Sequence, residues 1–391
     1  MGKKRKVVVL GTGGSGLTAA IAAHDAGARV RVFEKADKVG GTTAWSGGMV
    51  WIPNNHLEQA LGVQDSRQEA ITYLMSLSHG LIEQHMAEAF IDAGPIMVRH
   101  LCDHTPVQFR TIGNFPDYHA EFPGGKTGGG RSLDTPPFAF QELGKWEHRV
   151  TPSPYYADPR LAVYDTPLGQ AVPAPLAAEE LERRSVHHER ASGQALIGRL
   201  LRGCLDRGIE PDTSARALDL IIRKGRVRGV VIESKKGVRK VECDAVILAT
   251  GGFEWSEEFT RAFLRGPMTH PVSISTNTGD GLKMAMRAGA MLGNMREAWW
   301  MPVAEVPREE VSTGVTLIAG IRSLPRCIMV NRKGKRFTNE SANYNAIGAA
   351  FHDQDVSAFD YANLPCWMIL DKGYIDRYGF PICAAKNAGQ S

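Results

Sequence analysis

Along the chain the apolar positions change their spacing several times, and each change predicts an element. Val7-Val8-Val9-Leu10 is a short β-branched run, Leu17 to Gly27 reads as an alanine-rich helix, and Arg29-Val30-Arg31-Val32-Phe33 reads as a second strand. Ser66-Arg67-Gln68-Glu69 has the spacing of a capping box and opens a helix through about Ser78. Further helical patterns cover about Glu83 to Ala93 and Pro95 to His104. From Pro106 to Pro175 the periodicity fades among prolines, glycines and aromatics, and irregular chain of that length inside a compact protein is more often functional than not. Ser192 to Arg207 returns to a helix. Ile209 to Glu242 reads as short strands turning at Lys224-Gly225 and Lys236-Gly237, and Asp244 to Phe253 as a buried strand running into a glycine pair. No internal repeat is visible.

The first strand enters a G-x-G-x-x-G turn made by Gly11, Gly13 and Gly16, with Gly14 and Ser15 inside it. Gly11 permits the tight turn, Gly13 lets backbone approach a pyrophosphate, and Gly16 lets the helix pack closely on the sheet. The second strand ends on Glu34, placed to accept hydrogen bonds from a ribose diol. These parts together predict a dinucleotide site. The stretch from Lys38 to Met49 then brings Gly40, Gly41, Gly47 and Gly48 together with Thr42, Thr43 and Ser46, which suits backbone lying against a ligand. A nicotinamide-linked domain would normally begin another helical crossover there.

Composition narrows the reading. A chain of 391 residues can bury a sizeable core, and single cores stop growing below this length, so two domains are expected. Hydrophobic content of 43% and charged content of 23% are those of an ordinary globular protein, and a net charge of +4 gives no argument for nucleic acid. Lys3-Lys4-Arg5-Lys6 abuts the first strand and reads as a solvated strand entry. The apolar run after it is too short for a signal-peptide core, and no stretch reaches the length of a membrane span. Cys102, Cys204, Cys243, Cys327, Cys366 and Cys383 are scattered without metal-ligand spacing, which suggests free thiols in the cytoplasm and no metal site.

The pattern E-K-x-x-x-x-G-G-[ST]-[ST]-x-x-S-G-G, running from Glu34 and Lys35 to Gly48, resembles the FAD-binding segment of the fumarate reductase and 3-ketosteroid dehydrogenase flavoprotein superfamily. Ala249-Thr250-Gly251-Gly252-Phe253 is similar to its A-[TS/C]-G-G-F element, Asn277-Thr278-Gly279-Asp280-Gly281 to its N-T-G-D-G, and the segment Asp212 to Leu218 to the part whose backbone meets adenine. The resemblance implies FAD as cofactor and an α/β fold: a Rossmann-type FAD-binding domain over 1–294, with an irregular lid insertion near 106–190, and an inserted, here incomplete, α+β substrate (cap) domain over 295–391. The cofactor residues it implies are Gly11, Gly13, Gly14, Ser15, Gly16, Glu34 and Lys35. Gly41, Thr42, Thr43, Ser46, Gly47, Gly48 and Met49 follow, then Ala217, Ala249, Thr250, Gly251, Gly252, Asn277 and Asp280.

Within the superfamily, Trp299-Trp300 offers an apolar wall where a dicarboxylate-binding Q-x-H-P-T element would otherwise stand. The strings Trp51 to Asn55, Pro116 to His119, Gly130-Arg131-Ser132 and Ile328 to Ser341 are most similar to 3-ketosteroid Δ1-dehydrogenases. That branch implies desaturation of a 3-ketosteroid ring, with hydride passing to the flavin and a proton to a tyrosine. Tyr344 matches the N-E-x-x-x-Y spacing as proton acceptor and Tyr118 is its relay. An external electron acceptor is then required. The family's late G-L-Y-A-A-G-type and T-Y-P-G-x-G-like segments do not occur, so the expectation is a C-terminally truncated member. Two alternatives follow: a non-catalytic flavoprotein subunit completed by a second chain, and a fumarate-reductase-like protein acting on a conjugated acid, for which Arg322, Arg326 and Arg332 would have to converge.

Overall fold

The computed structural model describes residues 4–155, 158–166, 169, 175–309 and 313–379. The chain divides into two compact units, Met1–Glu257 with Ser273–Asn294, and Glu258–Val272 with Met295–Ser391.

In the first unit, strand β1 (Lys6–Leu10) lies between β2 (Arg29–Phe33) and the strand Ala245–Leu248, all parallel. Both faces of β1 are covered, which explains its unbroken apolar run. Val9 joins Leu17, Ile21 and Val32 beneath Ile197, Leu200 and Leu201 of the helix Ser192–Asp206. Val8 and Leu10 point the other way, into a core with Val230, Ile232 and Val241. Those residues come from an antiparallel meander, Ala215–Arg223, Arg226–Ser234 and Gly237–Glu242, which turns where Lys224-Gly225 and Lys236-Gly237 predict. The register sets Leu10 beside both Phe33 and Leu248. The residues that follow these three therefore emerge at one end of the sheet.

Two expectations need correcting. Gln84–His104 is one helix with Pro95 inside it, not two. Proline removes a single backbone hydrogen bond, and Ala87, Ile91, Gly94, Val98 and Leu101 keep one buried stripe running straight past it. The strand Ala245–Leu248 is only half-buried, with Leu248 38% exposed, because among the described residues it pairs with β1 alone and forms a sheet edge.

The described part of the irregular stretch is more ordered than its composition suggests. Gly129–Asp134 pairs antiparallel with both Val50–Trp51 and Arg110–Gly113, and all six of its residues are buried. The stretch is also pinned by Arg199 of the helix Ser192–Asp206. This buried guanidinium donates to the carbonyls of Pro106 (2.8 Å), Pro137 (2.8 Å) and Pro136 (3.4 Å), and it lies over the Phe138 ring.

The second unit carries an antiparallel pair, Cys327–Asn331 with Cys366–Leu370, and the helix Tyr344–Phe351. Ile318, Met329 and Ile347 form its small core. No described helix is long and apolar enough to cross a membrane.

Candidate functional site

At the end of the sheet where β1 and β2 stop, the chain turns into helix α1 (Gly14–Asp25). Gly11 has φ +106°, and a Cβ there would lie 2.1 Å from the Ala249 carbonyl oxygen. A Cβ on Gly16 would lie 2.2 Å from the Gly11 oxygen. Both glycines are therefore demanded by the protein's own packing. Gly13 is different: its φ is an ordinary −65°, and the nearest atom to a Cβ would be Thr43 Oγ1 at 3.7 Å. Among the described residues nothing requires that position to be bare. Its partly exposed backbone, at the start of helix α1, suits a close-lying anion.

Glu34 is nearly buried and stitched to the turn. One oxygen accepts from Thr12 N (2.9 Å) and Thr12 Oγ1 (2.6 Å), the other from Ala36 N (2.8 Å). A carboxylate has about four lone-pair sites, so one is left for a ligand hydroxyl. Thr12 also accepts from Gly40 N at 3.2 Å, tying the turn to the glycine-rich loop, and Gly14 N donates to Thr43 Oγ1 at 3.1 Å. That loop forms a short 3-10 helix, Gly41–Trp45. Ser46 Oγ donates to Thr43 O and accepts from Gly48 N, while Gly193 N reaches Ser46 O at 3.0 Å. Gly47 and Met49 continue this loop into the strand Val50–Trp51, both partly exposed.

The third side of the cradle comes from distant sequence. Ala249 N bonds to Leu10 O, and Gly281 sits so close to Thr250 that a Cβ would lie 2.0 Å from its hydroxyl. Gly251 and Gly252 are both exposed, yet a Cβ on Gly251 would lie 2.6 Å from the Asn277 amide oxygen and one on Gly252 2.2 Å from Glu254 Oε2. Asn277 Nδ2 donates to Thr42 Oγ1 (3.1 Å) and Glu254 Oε1 (2.7 Å), so one side chain joins three elements. Ala217 lies on the meander strand that begins beside β2, where Ala215 N bonds to Glu34 O at 2.8 Å.

Asp280 does not cap its helix, Asp280–Arg287, whose cap residue is Gly279. It receives a two-pronged bond from Arg216 (2.8 and 2.9 Å) and an ion pair from Lys35 (3.0 Å), and Lys35 also bonds Thr278 Oγ1 at 2.6 Å. Burial pushes the Asp280 carboxyl up, but the bonds from Arg216 and Lys35 outweigh it and hold the group below its ordinary value. Sequence reasoning missed Thr12, Arg216 and Glu254. Each is adjacent to a motif residue, and its role shows only when the side chain's direction is known.

In the second unit, Trp299 and Trp300 part company. Trp300 is 6% exposed and packs edge-on against His352, while Trp299 is 75% exposed. Only Trp299 presents apolar area outward. Its indole Nε1 donates to Tyr344 Oη at 2.7 Å, with the two rings nearly parallel (15°). Tyr344 is the first residue of its helix, which Asn343 caps through Ala346 N. An N–H donor on the phenol oxygen favours negative charge there. Tyr118 lies in the first unit and is 40% exposed. The three arginines are each held locally. Arg322 bonds to Ala319 O and Ala342 O, Arg326 pairs with Asp371 at 3.5 Å, and Arg332 with Asp360 at 2.7 Å. Cys102, Cys204, Cys243, Cys327 and Cys366 are free thiols, and Cys383 lies outside the described residues.

Comparison with known proteins agrees with the cradle. Residues 6–378 match the FAD binding domain family. The chain is similar to 4-oxocyclohexanecarboxylate 2-dehydrogenase of Sinomonas cyclohexanicum, 37% identical over 382 residues covering 95% of this chain and 65% of that protein. It is similar also to 3-oxosteroid 1-dehydrogenase of Mycobacterium tuberculosis, 33% identical, covering 96% and 69%. Among solved structures, the 3-ketosteroid delta1-dehydrogenase from Sterolibacterium denitrificans in complex with 1,4-androstadiene-3,17-dione superposes with a TM-score of 0.83 at 29% identity, covering 97% of this chain and 71% of that one. The chain thus spans about two thirds of the length of these relatives.

Proposed function

This chain belongs to the FAD-binding domain family and its cofactor is FAD, and on that premise we propose that it serves a dehydrogenase that desaturates a ring next to a ketone. The two curated relatives support the ring-ketone chemistry. Both names place the oxo group two ring positions from the carbon named for dehydrogenation. The bond oxidised then lies between the carbons α and β to the carbonyl. An α proton is acidic because its carbanion is conjugated with the ketone, so the chain must supply a base for it.

Tyr344 is that base, and the observation that carries the assignment is the Trp299 indole N–H aimed at its oxygen. A free tyrosine, with a pKa of about 10, is a poor base, and a donor fixed on the phenol oxygen stabilises the anion. Tyr118 serves as its relay. Trp299 offers an apolar face to the ring. Bound FAD supplies the acceptor for the departing hydride. Glu34, the Thr42–Thr43 loop, Asn277 and the amides of α1 hold it, and a 3-ketosteroid is the substrate of the finer reading.

The test is an anaerobic visible-absorption titration of the flavin-loaded protein, run with a saturated-ring 3-ketosteroid and separately with 4-oxocyclohexanecarboxylate. Bleaching by the steroid alone supports the steroid reading, and bleaching by the carboxylate alone replaces it with a monocyclic ketone. A flavin band that ignores both ketones removes the dehydrogenase assignment.

A further inference from the structure

Three strings separated along the chain, Trp51 to Asn55, Pro116 to His119 and Gly130 to Ser132, meet around one side chain. Arg131 is 1% exposed, and each of its three guanidinium nitrogens donates a hydrogen bond. Nε and one terminal nitrogen grip Asp65 (2.8 and 2.7 Å), while the other terminal nitrogen donates to Asp117 at 2.8 Å. The fork also lies 5.5 Å from the ring centres of both Trp51 and Tyr73.

Asp117 is held from several directions. Its Oδ1 accepts from Trp51 Nε1 at 2.7 Å, and its Oδ2 accepts from Lys126 N at 2.9 Å in addition to Arg131. Its own N–H donates to Lys126 O at 2.9 Å. Two residues on, His119 N donates to the Tyr73 hydroxyl at 3.2 Å. The backbone is thus fastened immediately before and immediately after Tyr118, which itself remains partly exposed. A buried cation is costly unless paired, and replacing such a group by apolar residues is often neutral or stabilising. Stability alone therefore gives a weak reason for so elaborate an anchorage, whereas a side chain that must be held to within about 0.5 Å gives a strong one.

We propose that Arg131, Asp117 and Trp51 are positioning residues that fix the Tyr118 phenol for its part in proton transfer. The inference rests on the reading of Tyr118 as relay. Its mechanical half, that the network sets where Tyr118 lies, can be tested whether or not that reading survives.

The experiment uses the flavin-loaded protein labelled with 3-fluorotyrosine, with the Tyr118 resonance assigned by its loss in Tyr118→Phe. Asp117→Asn weakens the pairing to Arg131. Because a half-paired buried guanidinium can prevent folding, Trp51→Phe is made in parallel; it keeps an aromatic ring beside Arg131 and removes the indole N–H together with part of the ring. The expected result is a shifted or broadened Tyr118 resonance in Trp51→Phe, with the resonances of the other eight of the chain's nine tyrosines largely in place. With a ring ketone that bleaches the flavin, kcat should fall about tenfold while KM changes by less than about threefold, the split expected when only the reacting geometry is disturbed. A Tyr118 resonance unchanged in Trp51→Phe overturns the positioning role. A moved resonance with unchanged kcat, in a protein that turns over, overturns the catalytic purpose. Normal turnover in Tyr118→Phe itself instead removes the relay reading.

Discussion

The cofactor cradle and the Tyr344 region are built by opposite means. The cradle is closed by close approach at glycines: Gly11 against the Ala249 backbone, Gly16 against the Gly11 backbone and Gly281 against the Thr250 side chain leave no room for a Cβ. The Tyr344 region depends on side chains, chiefly one indole hydrogen bond between a largely exposed tryptophan and a phenol at a helix start. A site made by steric exclusion tolerates almost no substitution at its contacts. A site made by directed side chains can lose its chemistry and keep its fold.

The severest way to break that contrast is Gly11→Ala. A Cβ 2.1 Å from a carbonyl oxygen, at φ +106°, should cost about 3 kcal/mol or more and abolish soluble flavin-loaded protein. Thermal melting and the flavin absorbance check it, and a yellow protein of unchanged Tm would mean that the turn is far softer than it looks. Next comes Tyr344→Phe, which should keep flavin and fold but lower turnover by about 10²–10⁴-fold, the range for loss of a positioned base. Gly13→Ala sharpens the comparison within the cradle itself. With an ordinary φ and 3.7 Å of clearance the variant should fold like the parent, yet bind FAD about tenfold more weakly because the new methyl intrudes on the ligand side. Flavin fluorescence on titrating the apoprotein measures this, and unaltered affinity would place the pyrophosphate elsewhere.

The smallest effect concerns Glu58, fully buried at the start of a short helix and bonded to Asn55 N at 2.8 Å. Burial, reinforced by the neighbouring Asp65 carboxylate, pushes its carboxyl up to about 7. A carboxyl whose pKa is raised on folding stabilises the protein below its unfolded value near 4.5 and loses that contribution as pH climbs through about 7. The loss is on the order of 2–3 kcal/mol. Glu58→Gln should remove this slope, so the difference in urea midpoint between parent and variant should grow from pH 5 to pH 8. A difference that is flat across that range would show the carboxyl ionising as freely folded as unfolded. His56 and His352, both pushed below the ordinary histidine value by burial, act with the opposite sign, and comparison with the variant cancels them.

What could be read in the sequence follows the same divide. The turn at Gly11, the helix after it and the acid at Glu34 are local, and local backbone demands write themselves into residue type. The meander turns at Lys224-Gly225 and Lys236-Gly237 were legible for the same reason. Gly129–Asp134 was not, because a strand containing Gly-Gly, Arg, Ser and Asp carries no apolar alternation. Its burial rests on Arg131 finding Asp65 and Asp117 far along the chain. Trp299-Trp300 shows the limit plainly: two identical neighbours, one buried on His352 and one open to solvent, and composition cannot say which. Nor could the family motif reveal that Asp280 is engaged by Lys35 and Arg216 instead of capping its own helix.

Arg199 has a bearing on how this fold can vary. Its three acceptors are main-chain carbonyls, which every amino acid possesses, and not particular side chains. The clamp therefore constrains the path of the segment it grips and leaves its lettering nearly free. A segment fastened in this way can exchange most of its side chains, and with them what it recognises, while the attachment beneath survives each change.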